Sequence, residues 1–158
     1  MDQPTPRHPN TSYEILQGTG KVTGKLLGGC IDVFTELLGT PLWPSAEEWK
    51  GKLLLIETSE VDMPEMVLEW FLRNLHAQGI LHVLKGIVVG KPAVEDKVEK
   101  YKNVYKQVVG FEAGLPDLPI LYNVNVGHAY PIGVFPLGLK YEIDCDKKTL
   151  TLLEKATE

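Results

Sequence analysis

Residues 52–58 read KLLLIET, and this short segment is the clearest guide to the fold. Its four consecutive aliphatic residues leave no polar face, which is typical of a strand that is buried on both sides of a parallel sheet. Two further apolar runs, at residues 84–89 and 119–124, have the same character. The sequence therefore predicts three buried strands, with residues 52–58 as the first.

Two amphipathic segments separate these strands. In the first, Val67, Phe71 and Leu75 form a stripe at helical spacing, and Asp62 is a candidate N-cap. The second covers residues 93–109. The order strand, helix, strand, helix, strand predicts a parallel three-stranded unit with two right-handed crossover helices.

The two ends of the chain predict strands that pair outside this parallel unit. Residues 13–17 and 21–23 are two short candidate strands, and residues 139–153 have the pattern of a hairpin. We therefore expect an α/β fold with a small parallel sheet, two crossover helices and a second, mostly antiparallel sheet. The three prolines within residues 1–12 predict a linker or disordered arm, so the domain is predicted to span residues 13–158.

Composition excludes several classes of function. The 158 residues carry a formal net charge of -5 and no basic stripe, which argues against a nucleic-acid partner. The longest aliphatic run has four residues, far short of the roughly 20 that span a membrane, and the first residues lack the pattern of a signal peptide. The two cysteines, Cys30 and Cys145, are expected to be reduced thiols. Together these features predict a cytoplasmic protein.

Polar residues follow the predicted parallel strands where ligands usually bind in α/β proteins, at the carboxyl ends. Glu57 ends the first strand, Lys91 follows the second, and His128 lies just beyond the third. The topology therefore places Glu57 and His128 on one edge of the sheet. A carboxylate that orients an imidazole is the arrangement with which a histidine acts as a general base.

Ordinary structural explanations compete with this interpretation. Glu57 could mark only the point where a strand reaches water, and His128 could bond backbone carbonyls in a loop. The sequence has no Gly-x-Ser-x-Gly turn, and Ser59 fits a turn better than a nucleophile. It also has no H-x-x-x-H or C-x-x-C spacing, so no metal site is predicted.

Four ordered segments resemble the C-terminal domain of the LD-carboxypeptidase-like serine peptidases. They are residues 24–30 (GKLLGGC), 38–40 (LGT), 49–57 (WKGKLLLIE) and 121–128 (LYNVNVGH). The likeness extends from about residue 13 to the end of the chain. Residues 57–60 (ETSE) and 29–32 (GCID) are more similar to the microcin C immunity branch than to the murein-recycling branch.

The resemblance implies a Ser–His–Glu triad, in which Glu57 and His128 match the catalytic glutamate and histidine. The family's serine belongs to an N-terminal domain that has no counterpart in this sequence, so the chain alone is expected to be inactive. The resemblance also implies a swivelling β/β/α domain, a homodimer, no metal or organic cofactor, and murein peptides or microcin C-type peptidyl-nucleotides as substrates. Lys91 stands where the family usually has arginine, so a bidentate contact is not expected there.

Two other functions remain open. The chain could be a non-catalytic module that binds a ligand or dimerises on its own. It could also be a small hydrolase that uses Ser59, although the residues around Ser59 do not favour this.

Overall fold

The computed structural model describes residues 12–157. The strands of these residues are, in chain order, β1 (Glu14–Gln17), β2 (Lys21–Cys30), β3 (Leu53–Glu57), β4 (Gly86–Gly90), β5 (Ile120–Val124), β6 (Lys140–Asp144) and β7 (Thr149–Leu152). They pair into one seven-stranded sheet with the order β1-β5-β4-β3-β2-β6-β7.

The helices lie in the connections between the strands. The α-helices are α1 (Ile31–Phe34), α2 (Ala46–Trp49), α3 (Glu65–Ala77) and α4 (Lys97–Tyr105). Short 3-10 helices cover Thr35–Leu37 and Leu81–Val83, and a π-helical segment at Lys106–Glu112 continues α4. No helix within residues 12–157 is long and apolar enough to cross a membrane.

The predicted α/β architecture is confirmed, and the parallel part is one strand larger than expected. The pairs β2–β3, β3–β4 and β4–β5 are parallel, while β1–β5, β2–β6 and β6–β7 are antiparallel. The antiparallel part is continuous with the parallel part because β2 belongs to both. Residues 21–25 of β2 pair with β6, and residues 26–30 pair with β3.

Alternation along β3 divides the core between the two faces of the sheet. Leu54 and Ile56 pack into a cluster with the helices, whereas Leu53 and Leu55 pack into a second cluster. Tyr141 of β6 belongs to this second cluster as well. All residues of β3, β4 and β5 are buried, as expected for strands covered on both sides.

Strand β2 is much longer than the predicted strand at residues 21–23. The prediction ended too early because glycine is uncommon in strands and β2 contains three glycines. Gly28 has a φ of 139°, and a Cβ atom at this position would overlap the carbonyl oxygen of Leu55 on β3. The glycine therefore allows β2 and β3 to lie side by side up to their carboxyl ends.

Two predictions about the helices are wrong in detail. Helix α3 begins at Glu65, so its N-cap position is Pro64, whose side chain cannot accept a hydrogen bond, and the carboxylate of Asp62 pairs with Lys97 Nζ at 3.1 Å. The second helix begins at Lys97 rather than at residue 93, since residues 93–96 form a bend and a turn. The arm predicted at residues 1–12 lies outside the described residues, except for its last residue.

We expect Gly28→Ala to destabilise the protein more than Gly29→Ala. Both glycines have a positive φ, but a Cβ at Gly29 would meet no atom within 4 Å. The difference in free energy of unfolding between the two variants should be about 1–3 kcal/mol, the usual cost of forcing an atom into a packed site. Urea denaturation measures it, and equal midpoints would show that the approach of β2 to β3 does not require Gly28.

Candidate active site

The carboxyl ends of the parallel strands bring three potentially reactive side chains together. Glu57 is the last residue of β3, and Cys30, the last residue of β2, is its partner in the parallel register. Beyond Val124 at the end of β5, the chain turns, and residues 125–128 carry His128 back to Glu57. The sequence-based prediction that Glu57 and His128 share one edge of the sheet agrees with this geometry.

The central contact is a hydrogen bond of 2.8 Å between His128 Nδ1 and Glu57 Oε2. An ionised carboxylate can only accept, so Nδ1 carries the proton. The Glu57 side chain is 9% exposed, whereas that of His128 is 42% exposed. The pair thus has a buried carboxylate behind an accessible imidazole, whose Nε2 is left as the nitrogen that can accept a proton.

Gly127 shows how closely the loop passes over the carboxylate. Its φ is 101°, a backbone conformation that residues other than glycine rarely adopt. A Cβ there would lie 2.5 Å from Glu57 Oε2 and 3.0 Å from Glu57 Cβ. The residue before His128 therefore has to be glycine for the imidazole to reach Glu57.

The surroundings raise the pKa of His128 above its ordinary value. The hydrogen bond to Glu57 is the largest cause; burial opposes it, and the charges of Glu57, Glu60 and Asp32 add to it. Glu60 Oε2 lies 3.7 Å from Nε2, but its side chain is 76% exposed, so water screens this interaction. The buried carboxylate of Glu57 is therefore the main cause of the raised pKa of His128.

Cys30 is a member of this site that sequence analysis did not find. Its thiol donates a 3.4 Å hydrogen bond to Asp32 Oδ2, which also accepts a bond from the Ser59 backbone N–H at 2.9 Å. Burial is the largest cause that raises the pKa of the thiol to about 12, and the charge of Glu57 adds to it. The proximity of Cys30 to Glu57 follows from the parallel register of β2 with β3. Sequence analysis did not predict this part of β2, because its glycines are untypical of a strand, and so it did not predict the register.

The donor atoms of Cys30, Glu57 and His128 all lie within 4.8 Å of one another. One is a thiol sulfur, one a carboxylate oxygen and one an imidazole nitrogen, so the group has the composition of a metal site. The expectation of no metal site was based on spacing along the chain. Spacing cannot reveal ligands that come from three different strand ends.

Ser45 and Ser59 have other roles in this structure. Ser45 caps α2 through a capping box with Glu48. Ser59 Oγ accepts a hydrogen bond of 3.1 Å from the backbone N–H of Val61, which is the predicted turn role. Lys91 is almost fully buried, and its backbone N–H bonds Val124 O at 2.8 Å, which ties the ends of β4 and β5 together.

The mixed α/β sheet thus carries a carboxylate–imidazole pair at the carboxyl ends of its parallel strands. Residues 23–143 match the family model of the LD-carboxypeptidase C-terminal domain. Since this match covers most of the chain, the protein belongs to the LD-carboxypeptidase family.

Relatives and solved structures agree with this assignment. The chain is 27% identical over 138 residues to the microcin C7 self-immunity protein MccF of Escherichia coli, covering 87% of the chain and 39% of MccF. It is 29% identical over 138 residues to the "Probable murein peptide carboxypeptidase" of Bacillus subtilis, covering 84% and 40%. The crystal structure of an MccF-like protein from Streptococcus pneumoniae in complex with AMP superimposes with a TM-score of 0.81 and 31% identity, covering 94% and 46%. The chain thus spans less than half the length of these relatives.

We expect Glu57→Gln to lower the pKa of His128, because it removes the charge and the hydrogen bond that stabilise the imidazolium. In the unaltered protein, the stability gained from the pairing is fully present below the ordinary pKa near 6.5, and it is lost as the pH rises through the raised pKa. An NMR titration of the His128 ring protons in metal-free buffer measures the change.

Glu60→Gln is the matched control for this titration. It removes a carboxylate that is near the same ring but largely exposed, so the pKa of His128 should fall much less than in Glu57→Gln. Equal shifts in the two variants would contradict the dominant role of the buried carboxylate.

Proposed function

We propose that this chain is the C-terminal catalytic half of a serine carboxypeptidase, with His128 as general base and Glu57 as the residue that orients it. The observation that carries the proposal is the 2.8 Å bond from His128 Nδ1 to a buried carboxylate, with the other ring nitrogen on the accessible side. Membership of the LD-carboxypeptidase family supports the same reaction class.

The proposed reaction is acyl transfer. His128 Nε2 takes the proton of a serine hydroxyl while the serine oxygen attacks the amide carbonyl. The imidazolium then gives this proton to the leaving amine, and an acyl-enzyme remains. In the second half, His128 takes a proton from water as the water oxygen attacks the ester carbonyl. The bond from the acyl carbon to the serine oxygen then breaks, and the imidazolium returns the proton to that oxygen. Glu57 holds the Nδ1–H tautomer and stabilises the positive ring in both halves.

The nucleophilic serine is proposed to come from a domain outside these 158 residues. Ser45 and Ser59 act as a helix cap and in a turn, and Ser12, the remaining serine of the described residues, is an exposed residue before β1. The chain also covers only about two fifths of MccF and of the murein peptide relative, which leaves room for a second domain in such proteins. On its own, the chain should therefore have no peptidase activity.

Two substrate classes follow from the relatives. MccF is named for self-immunity to microcin C7, and the Bacillus subtilis relative is named for murein peptides. We propose that the bond cleaved is an amide next to a free carboxylate, in a murein peptide or in a microcin C-type peptidyl-nucleotide. A homodimer in the cytoplasm, with no nucleic-acid or membrane partner, stays a prediction.

In a protein that joins this chain to a serine-bearing N-terminal half, Glu57→Gln and His128→Ala should each lower kcat by about three or more orders of magnitude. Triad members act as a unit, so the loss of either one removes most of the rate enhancement. The assays would use a murein tetrapeptide and a peptidyl-nucleotide, with labelling by a fluorophosphonate as the readout of serine reactivity.

Glu60→Gln serves as the control in the joined protein and should retain most of the activity. Retained activity in Glu57→Gln or His128→Ala would end the triad assignment. Activity or fluorophosphonate labelling of the 158-residue chain alone would instead favour a hydrolase based on Ser59. Tight ligand binding without hydrolysis in the joined protein would favour the non-catalytic module.

A further inference from the structure

We propose that Cys30, Glu57 and His128 form a binding site for Zn²⁺, and that occupation of this site by the metal blocks the peptidase. The three donor atoms lie within 4.8 Å of one another. Cys30 and Glu57 are neighbours in the register of two buried parallel strands, and the loop through Gly127 holds His128 against Glu57. The ligands are thus positioned by the sheet rather than by a flexible surface.

The donor set selects the metal. Thiolate, imidazole and carboxylate are the ligands that zinc uses, whereas Mg²⁺ and Ca²⁺ prefer oxygen ligands only. Three protein ligands with an accessible fourth position are typical of zinc sites that are open to other molecules. His128 provides this access, since its side chain is the exposed member of the group.

The spacing is close to what zinc requires. Bonds of about 2.0–2.3 Å in a tetrahedron separate the ligand atoms by about 3.5 Å. The 2.8 Å between His128 Nδ1 and Glu57 Oε2 is shorter than this separation. The upper limit of 4.8 Å for the distances among the three donor atoms is longer. Small side-chain rotations, with loss of the Glu57–His128 hydrogen bond, would bring all three atoms to one ion.

The charges around Cys30 favour a cation. Burial is the largest cause that raises the pKa of the Cys30 thiol, and the charge of the neighbouring Glu57 carboxylate adds to it. A divalent cation reverses this balance, because the carboxylate that opposes the thiolate attracts the metal. On binding, the sulfur releases its proton to solvent and forms a bond to zinc, and the ring proton moves from Nδ1 to Nε2 so that Nδ1 can also bind the metal.

The consequence for catalysis rests on the function proposed above. With Nδ1 bonded to zinc, Nε2 carries the ring proton and cannot accept that of the serine, and a carboxylate bonded to zinc cannot orient the ring. Metal binding itself requires only residues of this chain, so it can be tested without the serine-bearing half.

Co²⁺ replaces zinc in a form that absorbs visible light, and it tests the site in the tag-free, reduced 158-residue chain. We expect one equivalent of Co²⁺ to produce a thiolate-to-cobalt charge-transfer band, and Zn²⁺ to abolish the band, because zinc binds such sites more tightly. Cys30→Ser should remove the band. Glu57→Gln and His128→Ala should each weaken binding by about tenfold or more.

Cys145→Ser and His82→Ala are the matched controls and should retain the band. Cys145 is the other free thiol, and His82 forms an exposed pair with His76 at 3.2 Å that is a plausible adventitious site. In the unaltered chain, Zn²⁺ should also slow alkylation of Cys30. Absence of the band in the unaltered chain, its survival in Cys30→Ser, or its loss in either control would overturn the proposal. Failure of the triad test above would leave these spectra unchanged, so the two proposals fail separately.

Discussion

The hydrogen bond between Glu57 and His128 is the interaction on which the candidate site depends. Both partners are polar, and one is buried, so the bond also satisfies a carboxylate that would otherwise be costly to remove from water. It fixes which imidazole nitrogen carries the proton, and it raises the pKa of the ring. Without it, the edge of the sheet would hold an isolated buried acid and a histidine of ordinary basicity.

The geometry of this bond depends on two glycines at which the backbone passes close to β3. Gly28 lets β2 approach β3, which places Cys30 beside Glu57. Gly127 lets the loop after β5 pass over the carboxylate. The site therefore depends on two backbone positions where only glycine fits. Because the backbone comes so close, the side chains of Cys30, Glu57 and His128 lie near one another without having to be long. The close approach of the strand ends also places the Cys30 thiol beside Glu57 and His128, and these three side chains together have the composition of a metal site.

Much of this arrangement could be predicted from the sequence because apolar runs and strand order are local signals. The run Leu53 to Ile56 identified β3, and the parallel order placed Glu57 and His128 on one edge. The length of β2 could not be predicted, since glycine is rare in strands and its role here depends on contact with β3. Cys30 was missed for the same reason. The start of α3 was misplaced because the N-cap position is Pro64, which has no capping group, whereas Asp62 pairs with Lys97 of α4.

The tautomer of His128 tests the central claim most directly. Long-range ¹H–¹⁵N correlation spectra of the ¹⁵N-histidine-labelled chain, at a pH where the ring is neutral, report which ring nitrogen carries the proton. On His128, Nδ1 should be protonated and Nε2 unprotonated. A protonated Nε2, or the mixture of tautomers seen for a free imidazole, would contradict the bond to Glu57 and, with it, the proposed general base.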